Sequence, residues 1–347
     1  MKPLHLILFA FSLTFLACDP QAGDDDPDLT DNFDREAMLA HWADNVIGPA
    51  VRRYDVALAD LDMATTVYQA NPNDEHLDSV RVRFERAYLA WQRVDLFAFR
   101  GAEDSQLRER TNTYPTDTAR LLTESDANLE LPSNFDVQGF PALDFLLYGT
   151  PDPETHKDRI AELVKRIQDP VTPFLLSWEG NSRDSYVENS GSSANASVDR
   201  TVNHFIFYYE KYLRAGKVGI PAGVFSSDPM PMLAEAPYHG ELSKSLFLEA
   251  LAASEDFFTT SPGLAEYLDV LGVERDGQPL SARIKAGFAD ARAAASGLDA
   301  DFATQVEDDN TEMLQLYDAL QRNVILLKVD MLQALNISVD YVDADGD

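Results

Sequence analysis

Apolar residues along this chain recur at intervals of three and four rather than two, which predicts helices almost throughout. The period is sustained from Asp34 to Gln69, with Gly48-Pro49 predicting a kink or break. Asn71-Pro72-Asn73-Asp74 reads as a turn and N-cap, and the helix beyond it, about Glu75 to Arg100, carries Val80, Phe84, Tyr88 and Trp91 on one stripe. Leu143, Leu146 and Leu147 belong to a short helix ending at Gly149, and a further helix spans Pro153 to Glu179 with an interruption at Asp169-Pro170. Helices are then predicted at about Val198 to Ala215, Gly240 to Thr259, Leu280 to Ser296 and Thr311 to Leu335. The last holds Met313, Leu316, Leu320, Val324, Leu327, Met331 and Leu335 in register, a core stripe. Only Ile337 to Asp343 alternates, and it predicts at most a short C-terminal β segment. The pattern therefore predicts an all-α fold of two packed helical-bundle domains, residues 34–180 and 200–347. Between them, 181–199 is a polar Ser/Asn/Gly loop without core-forming residues.

The ends add a cellular address. Lys2 and the apolar run Leu4 to Ala17 have the layout of a secretory signal, residues 1–17, too short to span a bilayer stably. The run stops at Phe15-Leu16-Ala17-Cys18, which resembles the lipobox of bacterial lipoproteins, with Phe15 where leucine is usual. Cys18 is the only cysteine, so it has no internal disulfide partner, and lipidation would tie the protein to a membrane. Residues 18–33 continue as an acidic, aperiodic tether. The expected location is the bacterial cell envelope, at the periplasmic face or the outer membrane. With 59 acidic against 28 basic residues and a formal charge of -31, nucleic acid is excluded as a natural partner.

Recognisable catalytic motifs are missing from the sequence: it has no H-E-x-x-H, no G-x-S-x-G and no phosphate-binding loop. His41 with Asp44, and His239 with Glu241, each lack the second histidine that zinc favours, and read as surface or capping residues. The terminal Asp343 to Asp347 resembles the start of a calcium loop without its closing glutamate, and reads as a solvated end. More suggestive are punctuated stretches between helices: Phe97 to Asp104 with Glu103, Asn112 to Thr118 with Tyr114 and Asp117, and Lys217 to Phe225 with Gly219, Pro221 and Gly223. Glu235 to Ser243 adds Glu235, Tyr238 and His239, and Gln138 to Gly149 sets a single carboxylate, Asp144, in an apolar run after Gly139, Phe140 and Pro141. A carboxylate on a buried helix face is costly unless paired, so Asp144 is expected either to cap a neighbouring helix, to pair with Lys217 or an arginine, or to bind a ligand.

In order, AYLAWQRVDLFAFRGAED, NTYPTDT, QGFPALDFLLYG, GSSANASVDRTVNHFIFYYEKYLRAGKVGIPAG, AEAPYHGELS and ALNISVDYVDADGD resemble the imelysin family, also known as insulin-cleaving metallopeptidase or iron-regulated protein. The resemblance covers most of the chain after the tether. It implies two bundle-like domains facing a shared cleft in an envelope protein or lipoprotein associated with iron acquisition. The family's signature is G-x-H-x-x-E; here Gly139 is kept, while Pro141 stands at the histidine and Asp144 at the glutamate. Proline offers no ligand, so the resemblance implies a branch with a degenerate peptidase site, a non-enzymatic protein binding a small ligand or metal in the cleft and working with envelope uptake proteins. Asp144, Glu103 and Glu235 are the candidate ligands for a divalent or ferric ion. Two alternatives stand beside this: a metallopeptidase whose metal site is rebuilt from carboxylates, and an envelope interaction module docking through its acidic surface.

Overall fold

The structure is a computed structural model that describes residues 32–97, 106–124 and 126–341. Among these residues it is all-helical apart from one two-residue hairpin, and residues from Phe33 onward form one compact unit around a continuous apolar core. Among the described residues no helix is long and apolar enough to cross a membrane.

The first half begins with α1 (Arg35–His41), capped by the Asp34 side chain on the Ala37 N–H. The chain passes through a π-helical turn, Trp42–Ile47, into α2 (Gly48–Ala70). The break expected at Gly48-Pro49 is instead this wide turn. Pro49 has no N–H to donate and its ring crowds the preceding carbonyls, and one loosened turn absorbs both effects without ending the helix. Asn73 caps α3 (Asp74–Gln92) as the Asn-Pro-Asn-Asp sequence predicts, and α3 packs along α2. Short helices α4 (Leu107–Asn112), α5 (Thr118–Thr123) and α6 (Gly139–Asp144) follow, α6 running on through a π turn at Phe145–Gly149. Next come α7 (Lys157–Gln168) and α8 (Val171–Ser177), separated at Asp169-Pro170 as expected.

The polar stretch 181–199 is more ordered than its composition implies. Within it α9 (Arg183–Glu188) buries Tyr186 and Val187, and the Tyr186 hydroxyl meets Thr201 Oγ1 at 3.0 Å. Two apolar side chains suffice to dock this segment on the core despite the serines around them.

The second half holds α10 (Ser197–Phe207), a long π-helical run at Tyr208–Gly219, α11 (Ser243–Thr259) and α12 (Leu264–Leu271). A hairpin of β1 (Glu274–Arg275) and β2 (Gln278–Pro279) turns at Asp276 and Gly277, both with positive φ. It leads into α13 (Leu280–Ser296). Then α14 (Phe302–Ile325) kinks at Asp309, whose carboxylate recaps the chain on the Thr311 N–H, at the point where the apolar period predicts the helix to begin. It continues through a π turn, Leu326–Met331, to α15 (Leu332–Ala334).

The expected C-terminal β segment is not formed over 337–341. Asn203 of α10 bonds the Ser338 carbonyl and the Asp340 N–H, so a side chain takes the backbone groups that a strand partner would have used. Contacts between the halves run mainly from α3 to α11 and around the short 3₁₀ turn Asp95–Phe97.

Phe140 ties the first half together. It is fully buried, stacked on Tyr88 at 4.4 Å and edge-on to Phe84 at 5.9 Å. Phe140→Ala is expected to lower unfolding stability by about 3–5 kcal/mol in urea titrations, because α6 has few other anchors on α3.

Candidate functional site

The positions singled out in the sequence divide between two neighbouring clusters. The first is a clasp. Asp144, at the end of α6, is fully buried and accepts the peptide N–H of Tyr238 and of His239, both at 3.0 Å. It pairs with neither Lys217 nor an arginine; both oxygens hold a loop backbone. Burial pushes its carboxyl up to about 7, while the two amides and the His239 ring pull it back. Around it, Tyr238 packs edge-on to Phe145 at 5.0 Å. His239 lies against Tyr148 at 4.5 Å and meets Glu85 Oε1 at 2.9 Å through Nε2, leaving its buried Nδ1 without a partner among the described residues. Gly139 starts α6 at φ +79°, with the Thr111 carbonyl 2.4 Å from where a Cβ would sit, so only glycine lets α6 approach α4 this closely. Pro141 is buried in the first turn, where its missing N–H costs nothing.

The second cluster is a buried polar network between the halves. Lys217, in the π-helical run, and Glu235, in the loop before the clasp, form an ion pair with both side chains almost wholly buried. Glu235 Oε1 also accepts from Asn112 Nδ2 at 2.7 Å and from Gln92 Nε2 at 3.3 Å, and the Tyr88 hydroxyl donates to Asn112 Oδ1 at 2.7 Å. Nearby, Arg108 Nε donates to Asp95 Oδ1 at 2.6 Å and its guanidinium lies 4.1 Å from the centre of the Tyr212 ring. Burial first, then the charge of Glu235, holds the Tyr88 and Tyr114 phenols well above their usual range. The Tyr114 hydroxyl stands 3.0 Å from where a Cβ on Gly216 would be, so the glycine leaves room for it. The Tyr54 and Thr111 hydroxyls lie against one another, while Gln92 Oε1 and Tyr208 Oη have no partner among the described residues.

Other positions are structural. Asp117 caps α5 on the Arg120 N–H at 3.0 Å. Gly219 is crossed by Phe225 and Tyr317, each 2.8 Å from a built Cβ; Pro221 accepts the Met230 N–H; and Gly223 turns at φ +77°. They shape the turn after Lys217 and do not reach the network through side chains. Glu103 and Cys18 lie outside the described residues, as does Asp343 to Asp347. Sequence reasoning did not pick out Gln92, Asp95, Arg108 and Asn112. The available signal was Gln92, four residues after Tyr88 on the buried stripe of α3: a polar side chain where the period demands an apolar one.

The imelysin family model matches residues 48–327, which takes in both clusters. The chain belongs to the imelysin family. It is 25% identical over 161 residues to "Iron-regulated protein A" of Synechococcus elongatus, a match covering 45% of each chain, so the shared region spans less than half of that relative. An imelysin-like protein from Psychrobacter arcticum superposes with a TM-score of 0.72 at 18% identity, covering 88% of this chain and 97% of the other. A Parabacteroides distasonis protein described as a candidate iron-regulated protein A precursor also gives 0.72, at 13% identity over 87% and 95%. Both likenesses establish the helical fold.

The G-x-H-x-x-E positions of this imelysin-family chain do not fit a metal ion. Pro141 has no donor atom, and both Asp144 oxygens are committed to peptide N–H groups. Among the described residues no group of three or more His, Cys, Asp or Glu side chains is placed to hold a metal. Glu235, the other described member of the expected carboxylate set, is neutralised by Lys217.

Two outcomes follow. Because the folded-state pKa of Asp144 is raised, the native protein binds a proton more tightly than the unfolded chain, so this group's contribution to stability is greatest below about pH 4 and is lost as pH rises through about 7. The slope approaches roughly 1.4 kcal/mol per pH unit inside that window, and urea melts of Asp144→Asn are expected to lack it. Lys217→Met leaves Glu235 charged and unpaired, and should cost about 3–5 kcal/mol. The double variant Lys217→Met/Glu235→Gln should recover most of that loss in the same melts.

Proposed function

We propose that this imelysin-family protein is an exported, lipid-anchored component of the cell envelope that serves iron uptake as a binding protein and not as a peptidase. The polar network around Lys217 and Glu235 receives a small polar ligand. The carrying observation is the state of Asp144. A hydrolytic role at the signature would need a carboxylate free to take a proton from water or to ligate an ion, beside a histidine. Here the carboxylate closes a loop and the histidine position is proline. Two unsatisfied polar atoms beside the network, Gln92 Oε1 and Tyr208 Oη, support a guest there. The connection to iron and to export draws on the names of the relatives, one of them a precursor, and on the signal-like run ending at Cys18.

The test is radiolabelled iron uptake by iron-starved cells lacking the gene and complemented with variants, with casein and insulin hydrolysis assayed in parallel under Fe²⁺, Fe³⁺, Zn²⁺ and Ca²⁺. Uptake is expected to fall severalfold in the deletion, to return with the wild type, and to stay low with Lys217→Met/Glu235→Gln and with Cys18→Ser. Hydrolysis that disappears on chelation and in Asp144→Ala would overturn the binding-protein reading in favour of a rebuilt metallopeptidase.

A further inference from the structure

A cavity of about 260 Å³ opens beside α4 and the end of α7, and none of the residues lining it belongs to the buried network or to the clasp. Arg110 of α4 and Arg166 in the last turn of α7 converge there on one carboxylate. Arg110 Nη2 lies 2.6 Å from Glu130 Oε2, and Arg166 Nη2 lies 2.9 Å from Oε1. One guanidinium thus stands on each oxygen, and these hydrogen bonds, from Arg110 and then Arg166, hold the Glu130 carboxyl below its usual range. The protein's own side chain shows the geometry in which this cradle holds a carboxylate.

The surroundings make Glu130 an exchangeable occupant rather than a brace. Its turn is fixed without the carboxylate: Asn128 Oδ1 accepts the Glu130 N–H at 3.1 Å, the Asn128 carbonyl accepts the Leu131 N–H and Asn134 Nδ2, and Gln138 Nε2 donates to the Leu129 carbonyl at 2.8 Å. Arg166 is also held without it, donating through Nε to the buried Gln138 Oε1 at 3.4 Å, and Arg110 Nε is enclosed by protein. The cradle therefore keeps its shape when Glu130 leaves. The Glu130 side chain is 59% exposed, and an ion pair so open to water gives up little on parting. Asp169, exposed on the rim, opposes an anion but is outnumbered by the two guanidiniums once Glu130 withdraws. A single carboxylate competes badly with Glu130, which is tethered at the site. Each arginine meets Glu130 through Nη2, however, which leaves Nη1 donors for a second carboxylate on the same molecule. We propose that the cavity binds a small polycarboxylate, one carboxylate of which takes the place of Glu130 between Arg110 and Arg166. The volume, at the small end for ligand sites, suits an acid of a few carbon atoms.

Calorimetric titration of the full chain at constant ionic strength with citrate, succinate, acetate and inorganic phosphate tests the proposal. Citrate or succinate is expected to bind saturably, and acetate at least tenfold more weakly. Glu130→Ala removes the resident competitor and should tighten polycarboxylate binding fivefold or more, a gain that a misfolded chain does not imitate. Arg166→Ala should weaken it tenfold or more; if that variant melts early, Arg166→Lys replaces it, with the same loss expected because an ammonium lacks the paired donors. No saturable binding of either polycarboxylate to the wild type, an affinity that Glu130→Ala leaves unchanged or lowers, indifference to the arginine variant, or phosphate binding tighter than both acids would overturn it. None of these readouts involves iron or hydrolysis, so this proposal and the uptake reading fail separately.

Discussion

Four ionisable side chains, Asp95, Arg108, Lys217 and Glu235, are withdrawn from water where the two halves of the fold meet, and the surrounding architecture answers to that constraint. Desolvating a charge costs several kcal/mol unless a partner and further hydrogen bonds replace the lost water. Each ion pair forms within one half, Asp95 with Arg108 in the first and Lys217 with Glu235 in the second, and what crosses between the halves is the set of further contacts each pair makes. Arg108 adds the face of Tyr212, and Glu235 adds the amides of Asn112 and Gln92. Apolar side chains of similar volume would pack as well but would not fix which segment meets which. The hydrogen bonds of Asn112 and Gln92 to Glu235 and the approach of Arg108 to Tyr212 thus set the register between the halves.

The clasp at Asp144 extends the same logic to the backbone. The loop from Ala234 to Gly240 carries Glu235 into the network, and it includes Ala236, which holds a positive φ while fully buried. Such a conformation persists only when its surroundings over-determine it. Two consecutive N–H groups gripped by one carboxylate, only a few residues beyond Glu235, supply that determination. The residue at the signature's glutamate position therefore acts on the buried network by holding the loop that delivers Glu235.

How much of this was legible in the sequence depends on how local each determinant is. The helices of the second half were readable because stripes such as Met313 to Leu335 repeat for many turns, and the Asp309 kink even falls where the period starts. The hairpin at Asp276-Gly277 and the helix Leu264–Leu271 were short, and their signals were lost among longer ones. Tyr186 and Val187 were hidden by a serine-rich context that outweighs two anchors in any average. The punctuated stretches correctly suggested where chain segments change direction, but not that Asn112 and Glu235 would share a hydrogen bond. That pairing joins residues more than a hundred positions apart, and no period or spacing encodes it. Asp144 drew attention by its burial, while its partners, two peptide N–H groups, have no identity in a sequence.

The π-helical run that ends in Lys217 and Gly219 has one more implication. A π turn accommodates an extra residue without lengthening the helix in proportion, so side chains beyond it point elsewhere than α-helical counting would place them. Dropping a residue from this run would swing Lys217 around the axis by about 100°, away from Glu235. Chain length within this one segment is therefore as much a specification of the buried ion pair as the identities of its two members, and relatives with one residue more or fewer here would have to find a different counter-charge for the same carboxylate.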